Sequence, residues 1–161
     1  MKRTQRLFIL MFVALLASAW AEPWPLKPGV GVGPITLGAE YIQVNRYLTP
    51  ADALGNKAKA YLRYKEGVDV ECENYKVVQI LVNQSQFASK SGPVNVAMEG
   101  NLKIGSSVVQ METALGRNYD ARELKVARSQ PKEVYYAYAS KGLGVLTRAG
   151  KIIQFAIWPR K

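Results

Sequence analysis

The chain has 161 residues, one cysteine and no histidine, with 22 basic against 12 acidic side chains and a formal net charge of +10. One cysteine excludes an internal disulfide. The lack of histidine removes the commonest general base and metal ligand, and no nucleophile elbow, Walker loop or paired-cysteine metal spacing occurs. The expectation is a non-enzymatic protein with no cofactor and no metal.

Residues 1–21 read as an export signal. Lys2, Arg3 and Arg6 make a positive start, Leu7 to Ala17 is an uncharged apolar run, and Ala19-Trp20-Ala21 is a small-x-small cleavage pattern before Glu22. The run is too short to cross a hydrocarbon core of ~30 Å. A secreted or periplasmic protein is expected, without a transmembrane segment once the signal is removed. Nucleic acid is not expected as a partner. Cys72 reads as a small buried apolar residue, since no histidine is present to activate it.

Residues 22–34 are rich in proline and glycine. Gly29-Val30-Gly31-Val32-Gly33-Pro34 looks like a phosphate loop. A strand-like Ile35-Thr36-Leu37 comes after it instead of a helix, so no helix N-terminus points at a phosphate and a flexible linker is expected.

From Ile35 the chain repeats a pattern, which predicts a first unit over 35–83, a connector over 84–98 and a second unit over 99–161. Each unit opens on a short apolar strand closed by glycine, at Gly38 and Gly105. A helix is then expected, with Tyr41, Val44 and Leu48 on one face in the first unit and Val108, Met111 and Leu115 in the second. Ser107 and Gln110 fit a capping box, and Gly116 a helix end. Thr49-Pro50 breaks the first helix, and Pro50 to Leu54 is read as a further turn.

Each unit closes on a three-strand meander. In the first, Lys59 to Tyr64, Val68 to Glu73 and Val77 to Val82 alternate. A turn at Lys65-Glu66-Gly67 would set Tyr64, Leu62 and Ala60 opposite Val68, Val70 and Cys72 on the inner face. It would also set Arg63 opposite Asp69 and Lys59 opposite Glu73 on the wet face. Asp69, Glu71 and Glu73 therefore read as a solvated ladder and not as a metal cluster. In the second unit Tyr138 would face Leu143 and Tyr136 would face Val145, with Ile153, Phe155 and Ile157 joining the inner side. The segment between helix and meander is longer there, which predicts an enlarged loop around residues 117–131. The fold class expected is α+β: two tandem helix plus antiparallel β-meander units forming one pseudo-symmetric domain. Val70, Ile80, Val145, Phe155, Met111 and Leu48 are the expected core.

The motifs Leu102 to Gly105, Leu115-Gly116, Tyr138 and Gly150 to Phe155, with weaker counterparts in the first unit, resemble one superfamily. Its tandem form is that of the beta-lactamase inhibitory proteins (BLIP-like). Its single-copy form is that of the outer-membrane assembly lipoproteins (BamE-like, SmpA/OmlA). The likeness covers most of residues 31–158. The lipidated cysteine of the lipoproteins is absent. The resemblance implies an architecture and a style of function, binding of a protein on a sheet face, with no named target.

The wet face of the second unit lacks the charge ladder of the first and carries aromatic residues. Tyr135, Leu146 and Trp158, with Gln154 at their edge, are the candidate protein-binding residues, since tyrosine and tryptophan on a rigid sheet give large contact area at low entropy cost. The partner is an unknown protein or a second copy of the chain. The alternative is docking on anionic lipid or cell-wall surface through the 117–132 loop, with Arg117, Arg122, Lys125, Arg128 and Lys132 as contacts.

Overall fold

The computed structural model describes residues 22–56, 58–83, 94–125 and 131–160. Within them one antiparallel sheet of eight strands dominates. Its strands are β4 (Pro50–Gly55), β5 (Lys59–Tyr64), β6 (Val68–Glu73), β7 (Lys76–Asn83), β9 (Asp120–Leu124), β10 (Glu133–Tyr138), β11 (Leu143–Arg148) and β12 (Lys151–Ile157). They lie in the order β4-β5-β6-β7-β12-β11-β10-β9. The seam is the β7–β12 pair, where Val82 faces Phe155 and Ile80 faces Ile157. A second sheet of four short strands joins β1 (Trp24–Lys27), β2 (Gly31–Val32), β3 (Ile35–Thr36) and β8 (Val96–Ala97) in the order β3-β2-β1-β8. Two α-helices are present among these residues, α1 (Tyr41–Val44) and α2 (Val108–Leu115).

The α+β reading is therefore corrected. Among the described residues the structure is mostly β, 52% strand against 15% helix, and two units of a helix plus a three-strand meander do not describe it. The first helix is a single turn, short of Leu48. The stretch 50–54, expected as a helical turn, is strand β4. The enlarged loop expected around residues 117–131 contains strand β9. Pro50-Ala-Asp-Ala-Leu-Gly and Asp120-Ala-Arg-Glu-Leu hold good helix formers. Each lies beside the open edge of a hairpin whose backbone groups seek partners, and that tertiary pairing overrides weak local propensity. The linker expected at 29–34 is also corrected: it is the turn and strands of the small sheet, with Leu26, Val32 and Ile35 buried.

The inner hairpin registers are those expected. Leu62 faces Val70 and Ala60 faces Cys72, while Tyr138 faces Leu143 and Tyr136 faces Val145. Bulges fall at Glu71/Cys72 and at Leu146/Thr147. Each adds one residue, and with a side-chain period of two this flips the face of the residues beyond it. Val77 and Ile152 are thereby buried, and Ile153, expected inside, is only half-buried.

Both helices are tethered to the sheet by the same backbone bonds. Gly38 N donates to Val77 O at 2.7 Å, Val77 N to Ala39 O at 2.9 Å and Tyr41 N to Tyr75 O at 3.0 Å. In the other half Gly105 N donates to Ile152 O at 2.8 Å, Ile152 N to Ser106 O at 2.9 Å and Val108 N to Gly150 O at 3.2 Å. The capping box on α2 is formed, with Gln110 N donating to Ser107 Oγ at 3.2 Å and Ser107 N to Gln110 Oε1 at 2.8 Å. Such a cap contributes about 1 kcal/mol.

One core joins both sheets and both helices. The residues expected there, Val70, Ile80, Val145, Phe155, Met111 and Leu48, are all buried in it. Cys72 is a free, buried thiol on the same face, and burial pushes it up to about 11. Residues 1–21, read as an export signal, and most of the 84–98 connector lie outside the described residues. No helix among the described residues is long and apolar enough to cross a membrane.

Candidate site on the outer sheet face

Alternation along β10, β11 and β12 sends Tyr135, Leu146 and Gln154 to the side of the sheet away from the helices. The registers Arg122↔Tyr135, Tyr135↔Leu146, Leu146↔Gln154 and Gln154↔Asn83 line them up across five strands. Trp158 lies just past the end of β12, its backbone N donating to Gly142 O at 3.1 Å. The four residues put forward from the sequence are thus on one face. Tyr135, Leu146 and Trp158 stand apart from the hydrophobic core, each half-buried.

What holds the aromatic pair is a floor of small residues. Gly144 and Ala156 are opposite one another on β11 and β12, and both are buried although they face outward. Tyr135 lies over Gly144, its hydroxyl occupying the place a Cβ would take, and Trp158 Cζ3 is 2.9 Å from that same point. A ring laid across a glycine of the neighbouring strand shields exposed backbone and fixes the ring. Burial raises the Tyr135 phenol above its ordinary value.

Beyond the seam the face becomes polar. Gln154 Nε2 donates to Asn83 Oδ1. Asn83 Nδ2 donates to Asp69 Oδ2 at 3.0 Å, and the Tyr61 hydroxyl donates to the same oxygen at 2.7 Å. Arg63 Nε stands 3.8 Å from Asp69 Oδ1, and its guanidinium carbon is 6.0 Å from the Tyr61 ring centre. Burial first, then the bond to Asp69, pushes the Tyr61 phenol up to about 12.

The solvated-ladder reading of this strand needs correction at Asp69. Its side chain is buried and satisfied by three neighbours, because Asn83 and Tyr61 close over it. Glu71 pairs with Lys59 at 2.7 Å, diagonal to the Lys59↔Glu73 register. Asn83 and Tyr61 are the members of this face that sequence reasoning missed, while Asp69 was placed on it as a solvated charge. Their signal was available: each sits on the outward parity of its strand, next to residues already assigned. No group of three or more His, Cys, Asp or Glu among the described residues is placed to hold a metal ion.

The four described residues of the five proposed for an anionic surface, Arg117, Arg122, Lys125 and Lys132, are not gathered on one loop. Arg117 Nε is 3.0 Å from Glu112 Oε2, and Lys132 Nζ is 2.7 Å from Glu123 Oε2. Arg122 belongs to β9 beside Tyr135, Lys125 is exposed just past that strand, and Arg128 lies outside the described residues.

No family model, no curated protein and no solved structure matches this chain.

Proposed function

We propose that the protein is an exported, non-enzymatic protein-binding module that engages its partner with the outer face of the second half of the sheet. One observation carries the reading: Tyr135 and Trp158 are seated together on the Gly144 and Ala156 floor, half-buried, on the face that the core leaves uncovered among the described residues. Aromatic rings already fixed in place lose little freedom on binding, so their contact area is available as affinity. The Gln154–Asn83–Asp69 network then supplies a polar border, the usual surround of an aromatic anchor. The style of function implied by the resemblance to the inhibitory proteins agrees with this use of a sheet face. Docking on an anionic surface has less support, because Arg117 and Lys132 already face carboxylates.

The test is capture from the exported protein fraction on immobilised chain, wild type against a Tyr135→Ala/Trp158→Ala double variant of unchanged fold. Loss of a specific protein from the variant's catch is expected. Equal capture by both removes this face as the site. No capture by either, with a dimer present in wild type and lost in the variant, assigns the face to self-association instead.

A further inference from the structure

The small sheet does more than cover the core. Where β1 and β8 run side by side, a recess of about 640 Å³ opens between them, the end of α2 and the chain beyond β12. Its floor is apolar: Leu26 and Met98 are buried, and Ala97 and Leu115 are half-buried. Small-molecule sites lie in the range of about 300–1,000 Å³, with an apolar lining and a few placed polar groups, and this recess meets both conditions.

The placed groups are cations. Lys27, Lys141 and Arg160 line the recess, against Glu99 as the one acid of its wall. They come from three separate parts of the chain, and backbone contacts bring those parts together. Gly29 N donates to Gly142 O at 3.3 Å, which ties the turn after β1 to the turn before β11. The stem of Arg160 crosses Gly29 in the space a Cβ would take, with Lys141 O 3.0 Å from the same point, and Arg160 Nη2 donates to Pro28 O at 3.0 Å. Gly29 has φ 68° and no side chain, so both the turn and the seat of the arginine need a glycine there. Glu99 is in the opposite corner, beside the point where Gly100 passes Ala114 of α2.

These charges differ from the basic residues near β9. Arg117 and Lys132 face carboxylates, whereas Lys27, Lys141 and Arg160 make no ion pair among the described residues. Like charges held together without counter-charges make a local positive potential that draws anions. The bond to Pro28 uses one of five guanidinium N–H donors, and the rest of that fork suits a carboxylate or phosphate. The lysine stems line the recess and their heads reach water.

We propose that this recess binds a small anionic amphiphile, a molecule with an apolar chain over Leu26, Met98 and Leu115 and a carboxylate or phosphate head against Arg160, Lys141 and Lys27. Charge complementarity sets the sign of the head, and the buried floor sets the character of the body. The site shares no residue with the outer face of the second half and does not depend on it.

The test uses the full chain and decanoate below its micelle concentration, with binding read from amide shifts in NMR. Shifts are expected at Leu26, Ala97, Met98 and Leu115, weakening as salt is added. Acetate, the head without the body, should leave those amides unmoved. Decyltrimethylammonium, the body with the opposite charge, should bind at least about tenfold more weakly than decanoate. Lys27→Gln/Lys141→Gln/Arg160→Gln should weaken decanoate at least about tenfold, and decyl phosphate should follow decanoate in every variant. Should the triple variant fail to fold, Ala114→Trp carries the test: at this exposed helix position the added ring fills the recess and should abolish the shifts. Equal affinity for decanoate and decyltrimethylammonium would show plain apolar adsorption and overturn the proposal. So would shifts that survive the neutralised and the filled variants, shifts that acetate reproduces, or none in the wild type. Binding to phosphatidylglycerol vesicles that needs the three cations, without decanoate shifts, would give the patch to a membrane surface and also overturn it.

Discussion

Gly144→Ala tests the construction of the outer face at its floor. The glycine is outside the left-handed region, so alanine meets no backbone strain and its effect comes from contact alone. The added methyl group would overlap the Tyr135 hydroxyl, lie 2.6 Å from Tyr135 Cζ and 2.9 Å from Trp158 Cζ3. β11 is paired on both sides and cannot retreat, so the rings must move. Burying a large apolar side chain fully is worth ~1.5–3 kcal/mol, and Tyr135 is half-buried, so swinging it out forfeits about 1 kcal/mol. Residual crowding against Trp158 adds to this, since overpacking typically costs about 1–3 kcal/mol. The expected loss is about 1–2 kcal/mol, larger for Gly144→Val. Urea unfolding gives the magnitude. Titration of the tyrosines gives the mechanism, since a displaced Tyr135 phenol should return towards about 10. Unchanged stability together with an unchanged alkaline titration would show that the ring does not rest on Gly144, and the geometry of the proposed face would fall with it.

Phe155→Ala should cost about 3–5 kcal/mol in urea unfolding, because Phe155 is fully buried at the seam between the halves; a near-neutral variant would refute the assignment of the inner face. Asp69→Ala should cost about 1–3 kcal/mol, since it removes the acceptor of Tyr61 and Asn83 within the sheet face, and the same unfolding assay checks it. The Tyr119 hydroxyl first, and Arg117 after it, hold the Glu112 carboxyl below the usual carboxylate range. A depressed carboxyl stabilises above its unfolded value of about 4.3 and ceases to as pH falls through the folded one. Urea midpoints of wild type and Tyr119→Phe should therefore differ near neutrality and converge in acid, and parallel curves would refute the coupling. Tyr64 and Tyr138 are pushed up to about 12, chiefly by burial. Their contribution is whole below the ordinary value of about 10 and lost as pH rises through about 12, so midpoints should drop over that interval, less steeply in Tyr138→Phe.

Alternation made the hairpin registers legible, because one choice of turn put Leu62 against Val70 inside and Arg63 against Asp69 outside. The same reasoning failed past each bulge. An extra residue leaves no mark in an apolar pair such as Val77-Val78 or Ile152-Ile153, where either member suits the core. The two edge strands were hidden for another reason: Ala, Leu, Arg and Glu carry little strand signal, and the pairing that orders them comes from the neighbouring hairpin. The glycine-rich segment at 29–34 was misread as a linker because its strands are two residues long, below the length at which periodicity shows. For the site, parity along β10 and β12 was enough to place Tyr135, Leu146 and Gln154 on one face. It could not reveal that Asp69 is closed over, since that depends on Asn83 arriving from β7 and Tyr61 leaning across from β5.

The seam between β7 and β12 joins two unlike wet faces, one bearing charges and one bearing small and aromatic residues, and an amide pair suits that boundary. Each amide both donates and accepts, whereas the ionised carboxylate of Asp69 only accepts. Asp69 therefore fixes the Asn83 nitrogen toward itself, which turns the Asn83 oxygen to Gln154, which in turn commits the Gln154 nitrogen. The direction of the whole chain is set by the buried acid at its end. What remains is Gln154 Oε1, the open acceptor of the pair among the described residues, held next to Leu146 and one strand further from Tyr135. On the proposed reading of this face, a partner seated on the aromatic pair would meet an oriented acceptor at its border. It would gain by presenting an N–H or O–H there and lose by presenting a carboxylate, so the expected partner carries a donor beside its apolar contact.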